Sequence, residues 1–285
     1  MAKYLDPKAD VTFKKVFGEH KNLVMSLLNA LLPLDPGKQV ESIEYLPSEL
    51  VPETPLGKNT IVDVRCEETG GRKFIVEMQM EWRANFKQRV LLNASKAYIK
   101  QLPRGNDYNL LQPVYSLNLV NETFEPDMEE YYHYYRLVHY LHSDKVLEGL
   151  HLVLVELPKF KAKNLTEKKM QVLWLRFLTE IGEATKEVPQ DLVDNPHVNE
   201  ALEIVEESAL SDEERARYDG FWDLVSREAT KEAEMKAAIA ERDAAKERLR
   251  QTVCNLKEVG MSVEQISKIT GLKPTEVETL WGCTK

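Results

Sequence analysis

The sequence predicts an α/β fold with a C-terminal helical extension. Apolar residues recur at intervals of three and four over residues 10–32, three segments of strand character follow, and a second helical pattern leads into a further apolar strand. After about residue 160 the apolar residues recur at helical spacing. The predicted core therefore runs helix, three strands, helix, strand.

The elements of the core have recognisable ends. The first helix is expected over residues 10–32, because Pro33 and a Pro-Gly turn end its pattern. Strands are expected at 40–46, 60–66 and 73–80, and Gly70 with Gly71 predicts a hairpin turn between the last two. The remaining predicted elements are a helix over 84–102 and strands over 114–120 and 151–157.

The C-terminal part is expected to be helical throughout. Residues 227–250 contain neither glycine nor proline and are rich in Ala, Glu, Lys and Arg, which predicts one long exposed helix. It lacks clean heptads, so a spacer helix is favoured over a coiled coil. Ser262 with Gln265 forms a capping box, Gly271 suits a C-cap and Pro274 a first turn, which together predict two short helices with helix-turn-helix spacing.

These patterns divide the chain into four parts. We expect the α/β core at residues 1–160 and a helical extension at 161–225. The long charged spacer helix follows at 226–256, and the helix-turn-helix-like module occupies 257–285. A chain of 285 residues has room for such a division, since a domain typically has about 150 residues.

Composition excludes several classes of protein. With 43% hydrophobic and 30% charged residues the chain has a globular composition. It contains no run of about 18 apolar residues of the kind that predicts a membrane span. The N-terminus lacks the apolar segment of a signal peptide, so we expect a cytoplasmic location and no membrane partner. Cys66, Cys254 and Cys283 form no C-x-x-C pair, which argues against a zinc knuckle and a disulfide framework.

Two carboxylates are predicted to meet on neighbouring strands. Asp63 lies in the segment 60–66 and Glu77 in the segment 73–80, and the hairpin turn brings these segments together. Side chains alternate along a strand, so Glu77 and Gln79 face one way and Met78 faces the other. Paired carboxylates suit hard divalent cations, which lower the pKa of an attacking water and neutralise charge on a phosphodiester.

The surroundings of this pair predict burial. Ile61 and Val62 precede Asp63, and apolar residues flank Glu77 on both sides. A buried charge is costly unless it is paired or bound to a metal. We therefore favour a functional pair over the alternative, a solvated sheet face that carries acidic residues.

Four segments resemble one nuclease family. They are Asp10-Val11-Thr12-Phe13-Lys14-Lys15-Val16-Phe17-Gly18, the block from Asp63 to Gln79, Asn85-Phe86-Lys87-Gln88-Arg89, and residues 260–272. With the element order, they resemble the PD-(D/E)XK nuclease superfamily, and more narrowly its Rpn branch of recombination-promoting nucleases, also called PD-(D/E)XK nuclease family transposases. The resemblance spans nearly the whole chain and implies a restriction-endonuclease-like core.

The resemblance implies a metal-dependent DNA endonuclease linked to recombination, mobile DNA or defence. Asp63 and Glu77 would be Mg²⁺ ligands, with Mn²⁺ or Ca²⁺ as alternative ions, and Gln79 stands where the superfamily has lysine. Glutamine supplies neither positive charge nor a titrating base, so activation of water would depend on the metal. The competing interpretation is a catalytically degenerate nuclease fold that binds DNA or protein through its C-terminal helices.

A basic stripe on an acidic protein predicts where DNA binds. The chain has 38 basic and 47 acidic residues, a net charge of -9, which argues against binding nucleic acid through overall charge. Arg89, Lys96, Lys100 and Arg104 are nevertheless spaced by seven, four and four, so they share one face of the helix 84–102. A solvated helix face is the alternative to phosphate contact. The candidate DNA-binding residues are Lys14, Lys87, Arg89, Lys96 and Lys100.

Two further segments have alternative interpretations. The aromatic run 131–136, with His139 and His142, has the helical spacing typical of an amphipathic core and rim, and base stacking or metal binding are the functional alternatives. In the C-terminal helix pair the second helix carries Glu276 and Glu278, which DNA phosphates would repel. Protein docking or self-docking is therefore favoured there over DNA recognition.

The layout also predicts two protein partners. A homodimer would provide two active sites for two DNA strands, although no residue pattern requires it. The resemblance implies short C-terminal products made from within the same gene, and one that starts at Met235 would contain 51 residues. Such a product would bind and inhibit the full-length protein, and Met261 is the alternative start.

Overall fold

The computed structural model describes residues 3–50, 60–102, 107–161 and 169–281. The chain divides into two compact units, Met1–Phe221 and Trp222–Lys285. The helices are α1 (Asp10–Glu19), α2 (Lys21–Leu31), α3 (Phe86–Ile99), α4 (Lys169–Glu180), α5 (Gln190–Val193), α6 (Pro196–Ile204), α7 (Asp212–Glu258), α8 (Val263–Thr270) and α9 (Pro274–Trp281). The strands are β1 (Ile43–Tyr45), β2 (Glu49–Leu50), β3 (Thr60–Ile61), β4 (Val64–Glu68), β5 (Lys73–Gln79), β6 (Val114–Val120), β7 (Tyr132–His139) and β8 (His142–Glu156).

A mixed sheet of six strands organises the first unit, in the order β1-β4-β5-β6-β8-β7. Strands β5, β6 and β8 run parallel, whereas the other neighbours pair antiparallel. Helix α3 connects the parallel strands β5 and β6, as a parallel crossover requires. Strands β2 and β3 form a separate two-stranded sheet.

Helices cover both faces of the six-stranded sheet. On one face, residues of α1, α2, α4 and α6 share a core with the sheet, and the rings of Phe17 and Trp174 lie 5.4 Å apart within it. On the other face, α3 packs the small residues Ala94 and Ala97 near Ile75 of β5. Small side chains let this helix approach the sheet closely, so the polar residues beside them on α3 come within reach of β5.

The prediction of one continuous helix over residues 10–32 is wrong. The chain forms α1 and α2 instead, and His20 between them is extended, with φ -115° and ψ 99°. The Nδ1 atom of His20 lies 2.8 Å from the carbonyl oxygen of Lys15, at the open end of α1. Both helices bury an apolar face in the same core, so the apolar spacing continues across the break. The hydrophobic pattern alone therefore does not reveal that the helix is interrupted at His20.

The expected strand over residues 60–66 is also divided. Residues 60 and 61 form β3, which pairs with β2, while β4 starts at Val64 and joins the large sheet. The chain therefore leaves one sheet and enters the other at Val62 and Asp63. Asp63 lies in this break, not within a strand as predicted. The strand expected at 40–46 is shorter, and forms β1.

The aromatic run 131–141 is not helical. Residues 132–139 form β7, an edge strand that pairs antiparallel with β8, and β8 starts at His142, nine residues before the predicted strand. Tyr132 and Tyr134 pack against the main core. Aromatic residues occupy both faces of β7, so their spacing along the chain resembles a helical period although the segment is a strand.

Other predicted elements are confirmed. The hairpin joins β4 and β5, α3 follows, and β6 has its predicted bounds. After residue 161, the described residues form helices and no named strand, and α7 extends beyond both ends of the predicted spacer. No described helix is long and apolar enough to cross a membrane.

The second unit has a small core of its own. Val253, Ile266 and Val277 are buried together, one each from α7, α8 and α9. The predicted capping box is present, since the Ser262 hydroxyl accepts from the backbone N–H of Gln265 and the Gln265 side chain accepts from the backbone N–H of Ser262. Gly271 adopts the left-handed conformation with φ 73°, which ends α8 as the sequence predicts.

The β4–β5 turn provides a test of this fold. Gly71 has φ +87°, and a Cβ there would lie 3.0 Å from Cγ of Gln112, whereas a Cβ on Gly70 would meet no atom closer than 3.7 Å. We expect Gly71→Ala to lower the free energy of unfolding by about 1–2 kcal/mol, because a left-handed conformation strains a side chain. Gly70→Ala is the matched control, with a change within about 0.5 kcal/mol. Urea denaturation followed by circular dichroism measures both, and equal effects would contradict the proposed strain.

Candidate active site

The register of β4 and β5 brings Asp63 next to Glu77. Val64 pairs with Val76, and Asp63 and Glu77 are the next residues outward along the two chains. Asp63 Oδ2 accepts a 2.7 Å hydrogen bond from the backbone N–H of Met78, which fixes the carboxylate against β5. The predicted meeting of the two acids is thus present, although it occurs at the start of β4.

Glu77 is a buried acid beneath helix α3. Its side chain is 5% exposed, and Oε1 accepts a 2.8 Å hydrogen bond from Asn93 Nδ2. Its other oxygen, Oε2, lies 3.6 Å from Nη2 of Arg89, which is beyond ordinary hydrogen-bond distance. Asn93 is fully buried, and its Oδ1 has no hydrogen-bond partner among the described residues.

Gln79 faces the same helix, as side-chain alternation predicts. Its Nε2 donates a 2.6 Å hydrogen bond to the carbonyl of Glu81, and its Oε1 accepts from Nη2 of Arg89. The guanidinium of Arg89 also lies 4.8 Å from the centre of the Phe86 ring. Met78 points to the opposite face and packs against the main core.

Helix α1 contributes charge from the other side of Asp63. Lys14 Nζ lies 2.6 Å from Asp10 Oδ1, and both charges act on Asp63. The lysine favours the ionised carboxylate of Asp63 and the aspartate opposes it. The two charges of α1 therefore act on Asp63 in opposite directions.

Burial dominates the electrostatics of both acids. The pKa of Asp63 is raised to about 7, chiefly by burial and in part by the nearby charge of Glu77, against the lowering effect of the Met78 hydrogen bond. Burial also raises the pKa of Glu77, although the Asn93 hydrogen bond and the charge of Arg89 both lower it. The site therefore holds two carboxylates that the protein compensates incompletely.

Glu156 at the end of β8 is a contrasting buried acid. It is fully buried, but His133 Nε2 lies 2.9 Å from Oε1 and Lys159 Nζ lies 3.0 Å from Oε2. The backbone N–H groups of Phe124 and Glu125 also donate to it, each at 3.2 Å. These donors satisfy Glu156, which is typical of a structural group. Asp63 and Glu77 have fewer donors and fit a functional role better.

Comparison with known proteins identifies the family of the chain. A family model described as PD-(D/E)XK nuclease family transposase matches residues 7–224, which is more than half of the chain. The chain belongs to this family. No curated protein and no solved structure matches it. The family match includes α1, β4, β5 and α3, the elements that carry the residues described above.

The acids of this PD-(D/E)XK chain fit a divalent ion. No group of three His, Cys, Asp or Glu side chains within the described ranges is placed to hold a metal. Mg²⁺, however, is commonly bound by one or two carboxylates together with water and substrate phosphates. Asp63 and Glu77 offer that set of oxygen donors, and burial, the main cause of their raised pKa values, disfavours charged forms that a bound cation would stabilise.

The candidate DNA-binding residues are not all in one place. Arg89 donates a hydrogen bond to Gln79, and the charge of Lys14 lowers the pKa of Asp63. Lys96 Nζ donates a 3.2 Å hydrogen bond to Thr60 Oγ1. Lys100 is exposed at the C-terminal end of α3. Arg104 lies outside the described residues.

Lys87 lies in a different environment from Arg89. Its ammonium forms an ion pair with Glu125 and lies 5.4 Å from the centre of the Phe124 ring. The rings of Trp82 and Tyr135 are each 5.9 Å from it. No contact described for Lys87 joins it to the two acids or to Gln79.

Sequence reasoning missed Asn93 and Asp10 as site residues. Asn93 lies four residues after Arg89 and three before Lys96, so the spacing of the basic stripe already places it on the same helix face. A polar amide between Leu92 and Ala94 was the available signal. Asp10 belongs to the segment that carries the family resemblance, but its proximity to Asp63 depends on how α1 packs on β4.

The raised pKa of Asp63 predicts a stability change with pH. The folded protein retains a proton that an unfolded chain, with a pKa near 3.8, releases between about pH 4 and 7. The free energy of unfolding therefore falls as pH rises through this window. Asp63→Asn keeps an acceptor for Met78 but carries no charge, so we expect it to exceed wild type in stability at pH 8 by on the order of 2 kcal/mol, and by less at pH 5.

Urea denaturation in EDTA at both pH values measures this difference. Asp144→Asn, which changes an exposed aspartate on β8, is the control and should follow wild type at each pH. If the stability gain of Asp63→Asn is the same at pH 5 and pH 8, the raised pKa is wrong.

Proposed function

We propose that this member of the PD-(D/E)XK family is a metal-dependent DNA endonuclease. The observation that carries the proposal is the pair of buried, incompletely compensated acids, Asp63 and Glu77, placed side by side at the start of β4 and on β5. Structural acids are normally satisfied by donors, as Glu156 is. A buried acid pair with fewer donors is retained where a cation is bound.

Asp63 and Glu77 would hold the ion, with Mg²⁺ as our choice and Mn²⁺ or Ca²⁺ as alternatives. A bound divalent ion lowers the pKa of water and offsets charge on a phosphodiester. Water then attacks phosphorus, one P–O ester bond breaks, and the products are a phosphomonoester and a hydroxyl end. The Met78 N–H and Asn93 fix the two carboxylates during this reaction, because each donates a hydrogen bond to one of them.

Gln79 completes the catalytic set as an uncharged residue. Because its Nε2 is bonded to the Glu81 carbonyl, its Oε1 is directed to α3. An amide does not titrate in the range where proteins fold, so Gln79 takes no proton from water. Its role is to orient its neighbours.

We propose that Lys14, Arg89, Lys96 and Lys100 bind DNA phosphates beside this site. All four are cations on α1 or α3, the helices that approach Asp63 and Glu77. Lys87 is also proposed, but DNA must first replace Glu125, with which it is paired. Phosphate contacts position the duplex and do not read its sequence.

Several narrower expectations belong to the same proposal. We propose membership of the Rpn branch, a cytoplasmic location, and a role in recombination, mobile DNA or defence. The α8–α9 module is proposed to dock protein, since Glu276 and Glu278 on α9 disfavour DNA. We also propose a homodimer, which sedimentation tests. We propose that a short product from Met235 inhibits the full-length protein, and Western blotting after changing Met235 tests whether that product starts there.

Plasmid cleavage tests the proposed activity. We expect purified protein to nick or linearise supercoiled DNA with Mg²⁺ or Mn²⁺, and not with EDTA. Asp63→Ala and Glu77→Ala should each reduce the rate by more than about 100-fold, because each removes a charge that holds the ion. Glu44→Ala is the matched control, since this glutamate on β1 has a side chain that is 81% exposed.

The same experiment decides between the enzyme and the degenerate fold. Equal inactivity of wild type and both variants in Mg²⁺, Mn²⁺ and Ca²⁺, even after truncation at Ala233, would sink the endonuclease proposal. The binding-module interpretation would then replace it, with calorimetry expected to find weak Mg²⁺ affinity.

The salt dependence of DNA binding tests the proposed phosphate contacts. We expect Lys96→Gln to weaken binding of a short duplex and to reduce the slope of log affinity against log salt by about 1, because one phosphate contact is lost. Fluorescence anisotropy measures this slope at salt concentrations from roughly 50 to 200 mM KCl. Lys38→Gln is the control, because it removes the same charge from an exposed lysine that is paired with Asp35. It should leave the slope unchanged.

A further inference from the structure

The active centre has a charge deficit at Gln79. Two buried acids lie beside it, and a phosphodiester would bring further negative charge. A bound ion offsets part of this, but the Gln79 side chain itself carries no positive charge. Stabilising the charge that develops at phosphorus usually calls for a fixed donor or cation next to the metal.

Arg89 is placed to fill this deficit from helix α3. Its Nη2 donates to Gln79 Oε1 and lies 3.6 Å from Glu77 Oε2. It therefore lies close to both Glu77 and Gln79, across the gap between helix and sheet. The positive charge that Gln79 lacks is supplied ten residues later in the chain, by Arg89.

The way Gln79 holds this arginine matters chemically. Because Nε2 of Gln79 is bonded to the Glu81 carbonyl, the amide presents oxygen, not nitrogen, to the guanidinium. Gln79 is a neutral acceptor, so it fixes the position of Arg89 without neutralising its charge; the carboxylate of Glu77 lies farther away, at 3.6 Å. The Phe86 ring, 4.8 Å from the guanidinium carbon, supports the same position from the helix side.

Arg89 also retains donors for a ligand. Its Nε is buried and has no hydrogen-bond partner among the described residues, and its contact with Glu77 is longer than a hydrogen bond. An unpaired buried donor is costly unless something binds it. A guanidinium donates two parallel hydrogen bonds to a phosphate more readily than to a single carbonyl.

We infer that Arg89 is the cation of the active centre, which binds the phosphate undergoing hydrolysis, and that Gln79 is the positioning residue that holds it. The inference rests on the proposed endonuclease function. It separates Arg89 from Lys96 and Lys100, which would bind flanking phosphates. In this assignment the positive charge of the centre comes from helix α3, and a polar residue on β5 holds it in place.

A charge-exchange experiment tests this assignment. We compare kcat and KM for Mg²⁺-dependent DNA cleavage by wild type, Arg89→Gln, Arg89→Lys and the double variant Gln79→Lys with Arg89→Gln. Arg89→Gln should lower kcat by on the order of 100–1000-fold, the effect of losing one stabilising donor, with a smaller change in KM. Arg89→Lys should restore part of the loss, and the double variant should exceed Arg89→Gln at least tenfold, because lysine on β5 returns the charge.

Two controls exclude a structural explanation. Arg217→Gln removes the same charge from an arginine of α7 whose side chain is 65% exposed, and should leave kcat unchanged. The thermal unfolding midpoint of Arg89→Gln should stay close to that of wild type. DNA binding in EDTA, followed by fluorescence anisotropy, should fall much less than kcat.

The outcomes separate this inference from the function on which it rests. If wild type cleaves DNA and Arg89→Gln does so within about threefold, Arg89 is not the cation, while the endonuclease stands. Loss of kcat that neither lysine variant recovers, or that accompanies a lowered unfolding midpoint, assigns Arg89 a structural role and also overturns the inference. If wild type cleaves DNA in no metal, the proposed function fails first.

Discussion

The antiparallel pairing of β4 with β5 is the constraint on which the rest of the site depends. A tight turn at Gly71 sets its register, and this register places Asp63 beside Glu77. A shift by one residue would turn Glu77 and Gln79 away from α3 and expose the apolar residues of β5. The burial of Phe74 and Val76 on the other face therefore holds the acids in place. The same apolar contacts that stabilise the sheet fix the geometry of its polar residues.

Burial of the acid pair has a cost that the surrounding structure must offset. Asp63 and Glu77 each receive one close hydrogen bond, and their raised pKa values express the remaining cost of the charged forms. Proteins retain such arrangements at functional sites more often than elsewhere. The core formed by α1, α2, α4, α6 and the sheet supplies the apolar burial that allows it.

Helix α3 carries a basic face on a protein whose net charge is negative. The chain is acidic overall, yet this helix carries lysines and an arginine on the face that also holds Asn93. Ala94 and Ala97 bring the helix close to β5, so that Arg89 and Asn93 reach Gln79 and Glu77. A bulkier residue at either alanine would move the polar groups as well as the core. Packing and chemistry are thus coupled through one helix.

The sequence determined much of this structure through local patterns. Hydrophobic spacing located β5, β6 and α3, a charged segment without glycine or proline located α7, and the capping residues located α8 and α9, because these elements depend on contacts within a few residues. The alternation of side chains along β5 also showed that Glu77 and Gln79 face the same way. Family resemblance then named Asp63, Glu77 and Gln79 as a set.

Tertiary structure decided the features that depend on distant residues. The break at His20, the division of β3 from β4 and the strand β7 arise because each segment packs on, or pairs with, a part of the chain far away in sequence. The contacts of Arg89 with Gln79 and of Asn93 with Glu77 depend in the same way on how α3 lies over the sheet. Side-chain period is a local property and survives in the sequence, whereas the distance between a helix and a strand is set by the packing of the whole core.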